Sequence, residues 1–177
     1  MAKKIFALEG EWETRLEDKF SIKPVVDFVA TTSNVGYIHR RCVLKETLSY
    51  YLERLKSYKS FPIVYLAFHG SNSKIKLEDE FINLLELANL SNGAFQNRYV
   101  HFGSCSTARN LEKLNQFKQE TGAIMVSGFT EDISFIDGTL MDIALLNRLQ
   151  EHKYANGIKT MPSQYGSLIE KTGFVIV

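Results

Sequence analysis

Short apolar runs, rich in β-branched and aromatic residues, recur along the chain. Each has the length of a strand and is apolar almost throughout, which is typical of strands that are buried on both faces of a sheet. The predicted strands are Lys4–Leu8, Gly36–His39, Ile63–Phe68, Tyr99–Phe102, Ala123–Ser127 and Phe174–Val177. Together they are sufficient for one central sheet.

Segments with apolar residues at helical spacing separate these strands. The predicted helices are Lys23–Thr31, Lys45–Ser57, Asp79–Leu90, Leu111–Glu120, Gly138–His152 and Ser163–Lys171. Ser21 and Asn110 are the predicted caps of the first and fourth helices. This alternation favours a three-layer, doubly wound α/β fold, in which helices cover both faces of a mostly parallel six-stranded sheet. No linker, repeat or low-complexity tract divides the chain, so we predict one domain over residues 1–177.

The charges of the chain nearly balance, with 21 lysines and arginines against 20 aspartates and glutamates. The chain therefore lacks the positive excess that holds a nucleic-acid backbone or an anionic membrane surface, and we expect neither as a partner. Only a four-residue apolar run, 5–8, separates Lys4 from Glu9, which is too short for a signal-peptide core or a membrane span. These features predict a cytoplasmic protein whose two cysteines, Cys42 and Cys105, are free thiols.

Candidate chemistry lies directly after the third and fourth predicted strands, because ligands of parallel sheets bind beyond the carboxyl ends of the strands. The third strand leads into His69-Gly70 and the fourth into Gly103-Ser104-Cys105. Adjacent strands lie about 4.8 Å apart, so His69 can reach Cys105 if these two strands are neighbours. A free thiol is little ionised at neutral pH, and a nucleophilic cysteine therefore needs a base beside it. The pattern predicts a cysteine-histidine pair, and the small residues around it predict backbone N–H groups that can form an oxyanion hole.

The order of these segments resembles the caspase-like cysteine peptidases of clan CD, and within them the CHAT branch. The resemblance runs from about Pro62 to Ala108 and rests on VYLAFHG, on a short apolar hairpin at 74–77, and on VHFGSCSTA. It implies a caspase-like fold and a peptidase that acts on a peptide or protein substrate. It also implies that His69 is the base and Cys105 the nucleophile, with the backbone amides of Gly70 and Cys105 as the oxyanion donors.

Other interpretations of the same residues stay open. A catalytically inactive caspase-like scaffold or signalling module would keep the fold and bind a protein partner through the same crevice. The turn around Cys105 also loosely resembles the nucleophile elbow of α/β-hydrolases, but Thr107 stands where that motif has its second glycine. Cys42 has no base near it in sequence, so packing is its predicted role.

No cofactor or metal is expected. No P-loop and no G-x-G-x-x-G motif occurs in the chain, which leaves nucleotide-dependent chemistry without support. His101 and Cys105 are four residues apart, and an extended strand would separate them by roughly 13 Å, too far to share one ion.

An acidic segment follows the first strand. By the resemblance, residues after that strand help to line the pocket for the side chain before the scissile bond, and here they read Glu9-Gly10-Glu11-Trp12-Glu13. Glu9 or Glu11 beside Trp12 predicts a preference for arginine or lysine in the substrate, because a partly buried carboxylate needs a cation. Asp132, after the fifth strand, is a second predicted source of this preference. The alternative is a solvated turn of ordinary surface composition.

Overall fold

A computed structural model describes residues 3–13, 17, 20–78, 80–152, 158 and 161–177. The strands are β1 (Ile5–Glu9), β2 (Tyr37–Arg41), β3 (Ile63–Ala67), β4 (Lys74–Lys76), β5 (Phe81–Asn83), β6 (Tyr99–Phe102), β7 (Met125–Phe129) and β8 (Phe174–Ile176). The helices are α1 (Lys23–Thr32), α2 (Lys45–Leu55), α3 (Leu84–Ser91), α4 (Leu111–Thr121), α5 (Phe135–Glu151) and α6 (Met161–Thr172). Strands and helices therefore alternate as predicted, with the short strands β4 and β5 between β3 and α3.

Six of these strands form the central sheet, in the order β2-β1-β3-β6-β7-β8. The neighbours from β2 to β7 run parallel, and only β8 pairs antiparallel with its neighbour β7. The other two strands, β4 and β5, pair with each other in a separate antiparallel hairpin. The predicted α/β fold with a mostly parallel six-stranded sheet is thus confirmed. The strands that precede His69 and Cys105, β3 and β6, are neighbours.

Helices pack on both faces of the sheet. Along β1, Phe6 and Leu8 belong to one hydrophobic core, and Ile5 and Ala7 belong to the other, as the alternation of side chains along a strand requires. Apolar residues of α2, α3 and α4 complete the first core, and apolar residues of α1, α5 and α6 complete the second. The molecule therefore has three layers, with the sheet buried in the middle.

The prediction that β2 is a buried strand is wrong. Four of its five residues are only partly buried and one is exposed. The reason is its position, because β2 is an edge strand with a neighbour on one side only. Its polar residues His39, Arg40 and Arg41 fit this half-exposed setting.

Of the two predicted helix caps, one is confirmed and the other lies one residue away from the N-cap. Asn110 is the N-cap of α4, and its side chain accepts a hydrogen bond from the N–H of Lys113 at 2.9 Å. The N-cap of α1 is Ile22 rather than Ser21, although Ser21 Oγ still accepts from the N–H of Lys23 at 3.1 Å. α5 begins three residues before the predicted start, because Ser134 caps it.

The helix predicted from Asp79 begins later. Asp79 itself lies outside the described residues, and the chain first forms β5. Helix α3 begins after Asn83, whose side-chain oxygen accepts from the N–H groups of Leu85 and Glu86, both at 3.0 Å. In return, the carboxylate of Glu86 accepts from the N–H of Asn83 at 3.0 Å and completes a capping box. Asn83 is both the last residue of β5 and the N-cap of α3, so the helix begins directly after the strand.

We predict that Asn83→Ala lowers the free energy of unfolding by about 1 kcal/mol, because two N–H groups of α3 lose their acceptor. Asn89→Ala is the matched control, since Asn89 is an exposed residue of the same helix, and we expect a change within about 0.5 kcal/mol. Urea denaturation followed by circular dichroism measures both values. Equal losses in the two variants would contradict the capping role of Asn83.

Candidate active site

A cavity of about 310 Å³ opens at the carboxyl ends of the parallel strands. Loops that follow β1, β3, β6 and β7 line it, together with the first turns of α5. The described lining residues are Trp12, Glu13, Phe20, Ile22, Phe68, His69, Gly103, Cys105, Ile133, Ser134, Phe135, Gly138, Thr139 and Asp142. Both members of the predicted pair, His69 and Cys105, therefore line the same cavity.

The loops that carry His69 and Cys105 are in direct backbone contact. A Cβ atom on Gly70 would lie only 2.1 Å from the carbonyl oxygen of Cys105 and 3.0 Å from its nitrogen, so a side chain cannot be accommodated there. Two side-chain hydrogen bonds tie the same loops together: Ser104 Oγ accepts from the N–H of Phe68 at 3.0 Å, and Ser106 Oγ accepts from the N–H of Asn72 at 3.2 Å. These contacts fix the position of the loop that carries His69 relative to the loop that carries Cys105.

His69 is oriented by the backbone of the β1 loop. Its Nε2 lies 2.6 Å from the carbonyl oxygen of Trp12, and the two rings meet edge to face with their centroids 5.2 Å apart. A carbonyl oxygen can only accept a hydrogen bond, so Nε2 carries the proton in this contact. The neutral imidazole then has its lone pair on Nδ1, which is the nitrogen available to act as a base.

Cys105 is partly buried, and its thiol contacts the β7 loop. The thiol donates a hydrogen bond to the carbonyl oxygen of Ile133, with Sγ and the oxygen 3.5 Å apart. The structure has no hydrogen bond between this thiol and His69. The two side chains therefore line the same cavity without a hydrogen bond between them.

The predicted oxyanion donors are backbone N–H groups without a partner in the described part of the chain. The hairpin bonds Ser71 N–H to Lys74 C=O, at 3.0 Å, and Lys76 N–H to His69 C=O, at 2.7 Å, lie on either side of Gly70 and leave its N–H unused. The N–H of Cys105 likewise donates to no described acceptor. Cys105 lines the cavity, whereas Gly70 lies behind His69 and is not among the lining residues, so their joint donation to one oxygen stays a prediction.

The three residues predicted to bind substrate do not line the cavity. Glu9 is fully buried beneath it, and Glu11 forms an ion pair with Arg41 at 2.6 Å. Asp132 is exposed and lies 3.8 Å from Arg109. This geometry does not support an acidic pocket built from these residues, and their contact with a substrate stays a prediction.

Glu9 instead holds the β1 loop in place. Its carboxylate accepts from the indole N–H of Trp12 at 2.5 Å, from the hydroxyl of Ser21 at 2.8 Å and from the N–H of Ile22 at 2.7 Å. His39 Nε2 contacts it at 2.6 Å. Burial alone would raise the pKa of Glu9, but these hydrogen bonds outweigh it and hold the pKa below its ordinary value. Because Trp12 orients His69, Glu9 acts on the site as a positioning residue.

Sequence reasoning missed a buried polar network under the cavity. Asp142 of α5 accepts from His101 Nε2 at 2.6 Å and from the hydroxyl of Tyr65, and Ser127 Oγ lies 3.0 Å from His101 Nδ1. Burial and the charge of Asp142 raise the pKa of Tyr65 well above its ordinary value, so its hydroxyl keeps the proton that it donates. The available signal was a single polar residue inside an apolar run, His101 in β6 and Asp142 within 140–146 of α5, since buried polar groups need partners.

The second cysteine, Cys42, is fully buried. Burial raises the pKa of its thiol to about 12, which suppresses ionisation at neutral pH. This placement agrees with a packing role and sets Cys42 apart from Cys105, whose thiol reaches the cavity.

The described residues also contain no group of three or more histidine, cysteine, aspartate or glutamate side chains arranged to hold a metal ion. Within the same residues, no helix has the length and apolar character needed to cross a membrane.

The fold and site define an α/β protein with a cavity, lined mostly by apolar and aromatic residues, at the carboxyl edge of a mostly parallel sheet. The model of DUF6642, a family of unknown function, matches residues 2–176. The chain therefore belongs to that family. No curated protein matches the chain.

We predict that Glu9→Gln lowers the free energy of unfolding by about 2 kcal/mol near pH 7, because the amide presents N–H groups to a site built from donors. The pKa of Glu9 is lower in the folded protein than in the unfolded chain. The charged carboxylate therefore stabilises the fold above the unfolded-state pKa, and this stabilisation is lost as the pH falls through the folded-state pKa. The difference between Glu9→Gln and the unchanged protein should shrink over the same pH range. Denaturation at a series of pH values measures this difference.

Glu11→Gln is the matched control, since Glu11 forms only a half-exposed ion pair two residues away. We expect it to change stability by less than about 1 kcal/mol. A Glu9→Gln loss that does not depend on pH would contradict a charged, hydrogen-bonded Glu9.

Proposed function

We propose that the chain is a cysteine-dependent peptidase with a caspase-like arrangement, in which His69 is the base and Cys105 the nucleophile. The observation that most supports this function is the common cavity of the two side chains, held together by the backbone contact of Gly70 with Cys105. Two further observations agree with it, namely the hydrogen bond from His69 Nε2 to the Trp12 carbonyl and the unused N–H groups of Gly70 and Cys105.

In the first half of the reaction, substrate binding turns the Cys105 thiol away from Ile133, and its proton passes to Nδ1 of His69. The thiolate attacks the carbonyl carbon of the peptide bond, a C–S bond forms, and the electron pair of the C=O bond moves to oxygen. The N–H groups of Gly70 and Cys105 donate to this oxyanion. The C–N bond then breaks as His69 returns the proton to the leaving amine, and an acyl-enzyme remains.

In the second half, water replaces the amine. His69 takes a proton from the water, whose oxygen attacks the thioester carbonyl carbon, and the same two N–H groups hold the second oxyanion. The C–S bond breaks, the carboxylic acid product leaves, and the thiolate recovers its proton from His69. No metal or cofactor enters these steps.

One observation favours the non-catalytic alternative, a scaffold that binds a protein partner through the same cavity. The thiol donates to Ile133, and the structure has no bond between it and His69. If that arrangement persists when a peptide binds, the cavity recognises its partner without reaction. The two functions therefore differ in whether His69 changes the reactivity of Cys105.

We predict that a small alkylating reagent such as iodoacetamide labels Cys105 at neutral pH and leaves Cys42 unlabelled in the folded protein, because Cys42 is buried and its pKa is raised to about 12. His69→Ala should lower the labelling rate of Cys105 about tenfold at pH 7, since the base that takes the thiol proton is lost. Peptide mass mapping at timed intervals measures both rates. An unchanged rate in His69→Ala would show that the thiol is merely exposed and would support the scaffold.

We predict that Cys105→Ala abolishes peptide hydrolysis without loss of folding, because the turn around it already consists of small residues. Cys42→Ala is the matched control and should keep the turnover number within about twofold. A fluorogenic peptide library and a thermal unfolding scan measure activity and folding on the same samples. Turnover that survives in Cys105→Ala would overturn the proposed nucleophile.

A further inference from the structure

We propose that a second cavity, at the amino ends of the parallel strands, binds a small soluble compound through its phosphate groups. The cavity has a volume of about 380 Å³ and lies beside the residues that precede β3 and β6, whereas Cys105 follows β6 at the other end of the sheet. None of its described lining residues lines the cavity of His69 and Cys105. The inference is therefore independent of the proposed function.

The lining of this second cavity is positively charged. Lys56, Lys59 and Arg98 contribute three cations, and the described lining residues include no aspartate or glutamate. Glu53, outside the lining, pairs with Lys56 at 2.5 Å, and the carboxyl ends of α2 and α3 each add about half a negative charge. The three cations exceed these negative charges, although the whole chain carries a net charge of only +1. Positive charge is thus concentrated at the cavity.

Arg98 is the buried member of this group, with only 6% of its surface exposed. Its guanidinium donates to the carbonyl oxygens of Leu55, Tyr58 and Phe61 and forms no ion pair with a described carboxylate. These bonds use three of its five N–H groups and leave two for a ligand. Burial also lowers the pKa of Arg98. A buried cation held only by neutral carbonyl groups gains a counter-charge when an anion binds beside it.

The other polar groups of the cavity are donors that the rest of the described chain does not use. Four lining side chains form no hydrogen bond or ion pair with any described residue, namely Lys59, Asn92, Gln96 and Asn97. The backbone N–H of Gly93, in the same turn, donates to no described acceptor either. The oxygen atoms of an ionised phosphate are acceptors, so a cavity that combines unused donors with cations fits a phosphate compound.

The space around Gly93 is open to a ligand of this kind. A Cβ atom at Gly93 would have no other heavy atom within 4 Å, so the backbone N–H can be approached directly. The volume of the cavity lies in the range of small-molecule sites, roughly 300–1,000 Å³, and favours a compound with more than one phosphate group. A nucleic-acid backbone is disfavoured, because its binding needs cations spread along many phosphates, and here they lie at one cavity.

The binding test uses inorganic pyrophosphate as the probe and inorganic sulfate as the reference anion, both at the same ionic strength and at neutral pH. Isothermal titration calorimetry of the full chain measures the two dissociation constants. We expect pyrophosphate to bind with a Kd below about 1 mM, and at least about tenfold more tightly than sulfate, because it carries more charge and reaches more of the donors.

Lys59→Gln should weaken pyrophosphate binding about tenfold, as for the loss of one charge-assisted hydrogen bond. Gln96→Glu adds a carboxylate to the lining and should weaken it at least as much. Neither side chain has a partner in the described chain, so we expect both variants to fold, as circular dichroism can verify. Lys23→Gln is the matched control: it changes the net charge equally, but Lys23 is exposed on α1 outside the cavity, and binding should stay within about twofold.

Pyrophosphate binding no tighter than that of sulfate, or absent up to about 10 mM, would overturn the phosphate site. Equal losses in Lys59→Gln and Lys23→Gln would also overturn it, because they would show attraction to the net charge alone. A lipid head group carries the same phosphate chemistry, so sedimentation with phosphatidylcholine vesicles, with and without phosphatidic acid, distinguishes the two sources. Tighter binding to the phosphatidic acid vesicles than to pyrophosphate would overturn the assignment to a soluble compound.

Discussion

The contact between Gly70 and the backbone of Cys105 is the constraint on which the rest of the site depends. It exists because β3 and β6 are adjacent parallel strands, so that the loops at their carboxyl ends leave the sheet side by side. With no side chain at Gly70, the two backbones approach closely enough to place His69 and Cys105 on one cavity. The hairpin register leaves the N–H of Gly70 unused, and the N–H of Cys105 is unused as well. The adjacency of β3 and β6 and the absence of a Cβ atom at Gly70 together bring the imidazole of His69 and the thiol of Cys105 to the same cavity.

Two buried carboxylates support this arrangement from different sides. Glu9 anchors the β1 loop through Trp12, whose carbonyl oxygen in turn accepts from His69. Asp142 forms part of the cavity wall and is held by Tyr65 and His101 from the sheet below. Each carboxylate is satisfied by several donors, as burial of a charge requires. The first fixes the geometry of the base, and the second ties α5 to β3 and β6.

The sheet could be predicted from sequence because strands buried on both faces consist of continuous apolar residues. His69 and Cys105 could be predicted because each directly follows such a strand. The burial of Glu9 could not, since three glutamates in five residues look like ordinary surface and the partner His39 is thirty residues away. The pairing of Asp142 with His101 also depends on contacts between layers, 41 residues apart, that no local pattern encodes. The start of α3 was missed because a capping box overrode the apolar spacing before it.

The most direct test of the proposed nucleophile is an experimental structure of the protein with a bound peptide aldehyde. The account predicts a bond between Cys105 Sγ and the aldehyde carbon, with the resulting oxygen about 3 Å from the nitrogens of Gly70 and Cys105. An aldehyde bound without a bond to Cys105, or bonded with its oxygen turned away from both N–H groups, would contradict the central claim that this cavity is built for attack by Cys105.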